Sequence, residues 1–164
     1  LRAVLLEVEA SSKDSPAECL VLECNLDDET PELIGALTQR LLACGALDVF
    51  TTAAQMKKQR PGVLLTVLCE PSRREAMLDL LFREGTTFGV REYPVRRTVL
   101  ERRRVEVQTP FGSIHIKIGA WRGEDVTWAP EMDDCVRLAQ ERGVPVRTVY
   151  EHAWHAAQRL RPPP

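Results

Sequence analysis

The strongest constraint in this sequence is the order in which strand-like and helix-like apolar periods follow one another. Cys19 to Cys24, with Leu20-Val21-Leu22 at its heart, is a short apolar run of a length suited to a buried strand. Thr30 then stands as an N-cap before Pro31 and Glu32, and Leu33, Ile34, Leu37, Leu41 and Leu42 recur at helical spacing until Gly45. Ala46 to Ala54 is rich in Val, Phe and Thr; the polar segment Gln55 to Gly62 leads from it into Val63 to Cys69, which predicts a hairpin. Ser72 and Glu75 have capping-box spacing, Met77, Leu78, Leu81 and Phe82 form an apolar stripe, and Gly85 supplies the stop. Val90 to Val99 is a fourth strand, and Pro94 inside it asks for an edge position, because proline has no N–H to give to a ladder. Strand, helix, strand, strand, helix, strand is the split βαβ order of ferredoxin-like folds, whose sheet runs fourth, first, third, second.

A smaller α+β unit is expected after it. Arg103 to Thr109 and Ile114 to Ile118 alternate around Pro110-Phe111-Gly112 as a hairpin, and Asp125 to Ala129 adds a strand. One helix runs from Glu131 to Arg142. Another begins at Pro145 and places Val146, Val149, Tyr150, Ala153, Trp154 and Ala157 at 3.6-residue spacing. The expected class is α+β, with residues 1–17 as the end of a preceding domain and its linker, 18–102 as the ferredoxin-like domain, 103–160 as the small α+β domain and 161–164 as a disordered proline tail. Ser11 to Pro16 has linker composition, and an opening Leu1 in place of Met reads as a fragment of something longer.

A chain of 164 residues with 44% hydrophobic and 28% charged side chains buries a real core, as one compact domain or two small ones. Its longest apolar runs, such as Val63 to Leu68, fall far short of the roughly 20 residues that cross a bilayer. A soluble, cytoplasmic protein is expected, with no membrane partner. Five cysteines (Cys19, Cys24, Cys44, Cys69, Cys135), with no C-x-x-C among them, read as reduced, small buried hydrophobes. His115 sits in an alternating strand, and His152 and His155 share the polar face of the last helix, a weak metal pair at best.

Charge points to chemistry. Residues 1–56 carry three Lys/Arg against ten Asp/Glu, whereas residues 57–104 carry twelve against six. In the predicted topology three loops meet at one end of the sheet: Asn25 to Thr30, Met56 to Gly62, and Gly85 to Gly89 with Arg91 just beyond. Adjacent carboxylates Asp27 and Asp28 suit a hard divalent cation such as Mg²⁺ or Mn²⁺ that is shared with phosphates. Lys57, Lys58 and Arg60 offer positive charge to a polyphosphate, and the Gly/Thr loop offers N–H and hydroxyl groups. Each element also has a plainer reading, as a helix start, an exposed hairpin tip and a helix stop. Walker A, G-x-G-x-x-G, G-x-S-x-G and H-E-x-x-H patterns are absent from the sequence, which argues against a P-loop or Rossmann enzyme. The competing reading is a DNA-binding regulator, because Leu138 to Tyr150 has helix-turn-helix spacing. Residues 130–160 hold five acidic and four Lys/Arg residues, however, too little positive charge for a DNA footprint, so no nucleic-acid partner is expected.

NLDDETPELIG (Asn25 to Gly35), GALDVFTT (Gly45 to Thr52), MKKQRPGVLLTVL (Met56 to Leu68), GTTFGVR (Gly85 to Arg91) and PEMDDCVRLAQERGVPVRTVY (Pro130 to Tyr150) resemble the C-terminal half of the LarC family. These are nickel insertion proteins, cyclometallases of the lyase class that complete the nickel-pincer nucleotide cofactor of lactate racemase. The resemblance implies CTP-dependent insertion of nickel into pyridinium-3,5-bisthiocarboxylic acid mononucleotide, CTP being cleaved to CMP and pyrophosphate. It also implies a Mg- or Mn-CTP site and a homo-oligomer, trimer or hexamer, with nickel handled mainly by an N-terminal half. On matching positions, Asp27 and Asp28 would hold the nucleotide's metal, Lys57, Lys58 and Arg60 would neutralise the triphosphate, and Thr86, Thr87 and Arg91 would complete the cradle. Three positions depart from the family pattern: Glu29 where methionine is usual, Ala53-Ala54 for a Pro-Ile type pair, and Phe88 for leucine. No role follows from the resemblance for Glu131, Asp134 or Cys135.

Overall fold

The computed structural model describes residues 5–9 and 17–161; the expected linker and proline tail lie outside the described residues. The chain forms two compact units, one within Ser15–Thr98 and the other from Val99 onward together with an early strand, β1 (Leu5–Glu9).

The first unit runs β2 (Ala17–Leu26), α1 (Pro31–Ala43), β3 (Asp48–Gln55), β4 (Pro61–Cys69), α2 (Arg74–Glu84) and β5 (Arg91–Arg97). Its sheet is antiparallel with order β3-β4-β2-β5, the order expected of the split βαβ pattern. Pro94 lies opposite Leu20 on the edge strand β5, where its missing N–H costs no ladder bond. Leu22, Cys24, Leu26, Leu65, Val67 and Cys69 face Leu37, Leu41, Met77 and Leu81 of the two helices, and these residues are almost wholly buried. Thr30 caps α1 by accepting from Leu33 N–H at 3.4 Å. Gly45, at φ +100°, ends α1 with the paired bonds Gly45 N–H to Leu42 O and Ala46 N–H to Leu41 O, each at 3.0 Å.

The start of α2 differs from expectation. Pro71 opens a 3-10 turn, Pro71–Arg73, so Ser72 lies inside that turn and bonds Glu70 at 3.4 Å, and no side chain caps the helix. The capping-box spacing of Ser72 and Glu75 is present in sequence but unused. Arg74 instead fastens the helix start to the edge strand, gripping Glu92 with Nε at 2.7 Å and Nη2 at 2.9 Å.

The second unit is a four-stranded antiparallel sheet, order β1-β6-β7-β8, with β6 (Glu101–Thr109), β7 (Gly112–Trp121) and β8 (Glu124–Pro130). Leu5–Glu9, within the segment read from sequence as the end of a preceding domain, form β1, which pairs antiparallel with β6. Helices α3 (Met132–Arg142) and α4 (Val146–Gln158) pack on this sheet, burying Cys135, Leu138, Val149, Ala153 and Ala157 against Val105, Val107, Ile114, Ile116 and Ile118. Gly143 closes α3 at φ +65°. The segment left without a role in sequence is explained here. Cys135 is a fully buried core thiol, and Asp134 accepts from the His115 backbone N–H at 3.0 Å while meeting its ring Nδ1 at 2.7 Å. Glu131 takes Lys117 at 2.9 Å and Arg104 at 3.4 Å. Both carboxylates pin the start of α3 to the sheet.

No helix among the described residues is long and apolar enough to cross a membrane. All five cysteines are free, and four of them are buried.

Candidate functional site

The first unit brings the three expected loops together at one end of its sheet. The acidic loop follows β2 because Leu26 is the last buried residue of that strand, which leaves Asp27, Asp28 and Glu29 to turn the chain toward the Thr30 cap. The cationic loop is the β3–β4 connection, closed by Met56 N–H on Arg60 O at 2.8 Å. Lys58 and Gln59 at its tip both adopt φ 60°, the left-handed pair of turn residues that a tight hairpin requires. The hairpin comes close to the acidic loop because Gly62 has no side chain. A Cβ there would lie 2.6 Å from Leu26 O and 3.1 Å from the Asp27 Cα.

Side chains then lace the loops. Arg60 reaches Asp27 at 3.6 Å, and Thr86 donates its hydroxyl to Asp28 Oδ1 at 2.5 Å. Asn25 bridges the other two loops, accepting from Arg91 Nη2 at 2.8 Å and donating to Met56 Sδ at 3.5 Å. Arg91 also lies 3.7 Å from Glu23. Thr87 folds back on its own loop, donating to Gly89 O at 2.9 Å and accepting from Gly89 N–H at 3.3 Å, and its hydroxyl favours the ionised form of the Cys24 thiol. Burial pushes that thiol up to about 11, only partly offset by Thr87 and Arg91, so Cys24 is a neutral floor to the site.

The residues assigned from sequence to the metal–polyphosphate site all lie at this end, in different situations. Lys57 and Lys58 are exposed at the hairpin tip, Arg60 is paired with an acidic-loop carboxylate, Thr86 and Arg91 brace the loops against one another, and Thr87 braces its own loop through Gly89. Among the described residues no group of three or more His, Cys, Asp or Glu converges as a cage for a metal ion. Asp27 and Asp28 are a partial donor set, which fits a divalent cation that takes its remaining ligands from phosphate oxygens and water. Glu29 adds a further feature: its Oε2 is buried and has no hydrogen-bond partner among the described residues. Asn25, Cys24, Glu29 and Gly62 were not picked out from sequence. Only Gly62, following Pro61 at the start of a strand, carried a local signal that two backbones approach closely.

The competing site in the second unit fares worse. Arg147 on α4 is tied to Glu151 at 2.9 Å, while His152 bonds Thr148 O at 2.9 Å and meets Phe111 edge-on with ring centroids 5.1 Å apart. The helix-turn-helix spacing marks a helix pair packed on a sheet, and nothing among the described residues supports DNA binding. No third His, Cys, Asp or Glu joins His152 and His155 as a metal cage among the described residues.

Comparison with known proteins places the chain among nickel insertion proteins. A protein from Myxococcus xanthus described as a putative nickel insertion protein is 48% identical over 149 residues, 91% of this chain and 37% of that one. The pyridinium-3,5-bisthiocarboxylic acid mononucleotide nickel insertion protein of Acetivibrio thermocellus is 42% identical over 151 residues, 92% of this chain and 37% of its own length. Among solved structures, LarC2 in its apo form, the C-terminal domain of a cyclometallase involved in synthesis of the NPN cofactor of lactate racemase, superimposes with a TM-score of 0.84 at 39% identity. That match covers 88% of this chain and 99% of LarC2. A protein from Methanopyrus kandleri also matches, with a TM-score of 0.57 at 27% identity over 84% of each chain. The chain thus spans little more than a third of the length of the curated relatives it matches. The Nickel insertion protein model matches residues 1–150, and with that match, the shared fold and the sequence identities, this chain belongs to the nickel insertion protein family.

Proposed function

We propose that this chain is the CTP-binding, oligomer-forming part of a nickel insertase that inserts nickel into pyridinium-3,5-bisthiocarboxylic acid mononucleotide, with CTP cleaved to CMP and pyrophosphate. The observation that carries the reading is the meeting of an acidic loop, a cationic hairpin and a threonine-glycine loop at one end of a single sheet, in a chain of this family. Asp27 and Asp28 hold the Mg²⁺ or Mn²⁺ that travels with the triphosphate, which supplies charge neutralisation at the phosphate being cleaved. Lys57, Lys58 and Arg60 bind the phosphate oxygens. Thr86, Thr87 and Arg91 hold the acidic loop and the cradle in register for that ligand. The metal-nucleotide site belongs to residues 18–102, and the assembly is a cytoplasmic trimer or hexamer. Nickel is the cargo; handling it falls mainly to regions of the longer relatives outside this chain.

Calorimetric titration tests this reading. Heat of binding with Mg²⁺- or Mn²⁺-loaded CTP, greater than with ATP and lost without metal, is the expected result. No heat with any triphosphate would overturn the site.

A further inference from the structure

We propose that Phe88 is the platform on which the base of the bound nucleotide stacks, an inference that rests on the nucleotide-binding reading above and extends it to a residue with no assigned role. Phe88 is 104% exposed, whereas no other large apolar side chain among the described residues exceeds the 56% of Leu33. Isolated apolar residues on a surface are ordinary. Three observations set this one apart.

First, the loop that carries it is braced on both sides of the ring. Thr86 bonds Asp28 at 2.5 Å, and Thr87 grips Gly89 through 2.9 Å and 3.3 Å hydrogen bonds. A loop free to collapse would tuck a phenyl ring against its own apolar floor; this one holds it out in water. Second, nothing crowds the loop at the residue that follows, since a Cβ built at Gly89 would meet no atom within 4 Å outside its two chain neighbours. Third, the surroundings are ionic: the same end of the sheet carries Lys57, Lys58, Arg60 and Arg91 with Asp27 and Asp28. An apolar protein surface would have to strip water from those charges. A nucleotide matches both halves of the pattern, with a planar ring for Phe88 and phosphates for the hairpin. Stacking on a phenyl face tolerates any base, so Phe88 supplies affinity for the ring, and discrimination of cytosine falls to polar groups at its edge.

The test uses two ligands that differ only in having a nucleoside. The wild-type chain and its Phe88→Ala and Phe88→Leu variants are titrated with Mg²⁺-CTP and with Mg²⁺-tripolyphosphate. The wild type should bind both. Phe88→Ala should lose about tenfold in affinity for CTP and nothing for tripolyphosphate, with Phe88→Leu between the two. In a Phe88→Trp variant, CTP should quench the new tryptophan's emission and tripolyphosphate should leave it unchanged. If Phe88→Ala binds CTP as the wild type does, or loses both ligands equally, the stacking role is wrong while the phosphate site stands. If the wild type binds neither ligand, the nucleotide-binding reading itself falls, and the stacking role with it.

Discussion

Thr86 donates its hydroxyl to Asp28 Oδ1 at 2.5 Å across 58 residues of sequence, joining the loop that precedes β5 to the loop that follows β2. A second bond, Arg91 to Asn25, joins the same loops across 66 residues. These links give this end of the sheet its shape, and in the proposed site they separate the residues assigned to the ligand from those that hold them in place.

Lys57→Ala and Asp27→Ala should each weaken metal–CTP binding about tenfold or more, because each removes a charged contact to the ligand. Neither should unfold the chain, since Lys57 lies at an exposed tip and the Asp27–Arg60 pair is open to water. Calorimetry paired with thermal melting checks both; wild-type affinity in the two variants would dispose of the assigned contacts.

Gly62→Ala should cost about 1–3 kcal/mol, because its methyl would collide with Leu26 O and the Asp27 backbone, and those atoms belong to the strand end and the acidic loop. Denaturant unfolding measures the loss. A fall in nucleotide affinity beyond the fall in stability would report displacement of Asp27.

Gln59→Gly should stabilise the chain by about 1 kcal/mol, since glycine takes φ 60° without the strain an ordinary side chain carries. Nucleotide affinity should stay as it was. Lys58→Asn relieves similar strain but removes a cation, so its melting temperature should rise while its affinity falls, and the two readouts moving in opposite directions is the result to look for.

Asp134→Asn should destabilise the second unit by about 2 kcal/mol through weaker bonds to His115 and Arg137. Burial alone would push the Asp134 carboxyl up, yet the His115 backbone and ring and the Arg137 guanidinium together hold it below its ordinary 3.8. A depressed carboxylate stabilises the fold fully above its unfolded value and loses that contribution as pH falls toward the folded one. Unfolding measured downward from pH 5 should therefore show a steep acid loss in the wild type and a shallower one in the variant.

Cys24 behaves in the opposite sense. Its folded value of about 11 lies above the ordinary 9.0, so its contribution is complete below pH 9 and fades as pH rises toward 11. Cys24→Ala should flatten the alkaline limb of the stability curve. The wild-type thiol should resist alkylation at pH 8, because it is 1% exposed as well as protonated.

Where one strong local signal decided an element, the sequence was easy to interpret. Pro94 demanded an edge and has one; Thr30-Pro31 began a helix and Gly45 ended it. Ser72 and Glu75 misled because the proline ahead of them opened a 3-10 turn, a competing local structure that spacing does not reveal. Leu5–Glu9 were harder still, since the pairing of β1 with β6 is a contact across about 100 residues. At the site, charge and topology together located the three loops, but the bracing was out of reach. Nothing local to Asn25 indicates that its amide will join Met56 and Arg91, 31 and 66 residues away. Nor does the sequence of the Glu131 to Cys135 segment tell a catalytic cluster from one that fastens a helix to a sheet.

The Asp27–Arg60 pair has a thermodynamic consequence for how the proposed site fills. A cation arriving alone would take Asp27 and leave Arg60 without its counter-charge; a polyphosphate arriving alone would do the reverse. Each solitary ligand must break a pair and strand half of it. A metal and a triphosphate arriving as one particle give each of the two side chains a new counter-charge as they part, so the two should bind with positive, reciprocal coupling. Such an arrangement would make the proposed site a filter for the complex over its parts, set by two side chains that neutralise each other until it binds.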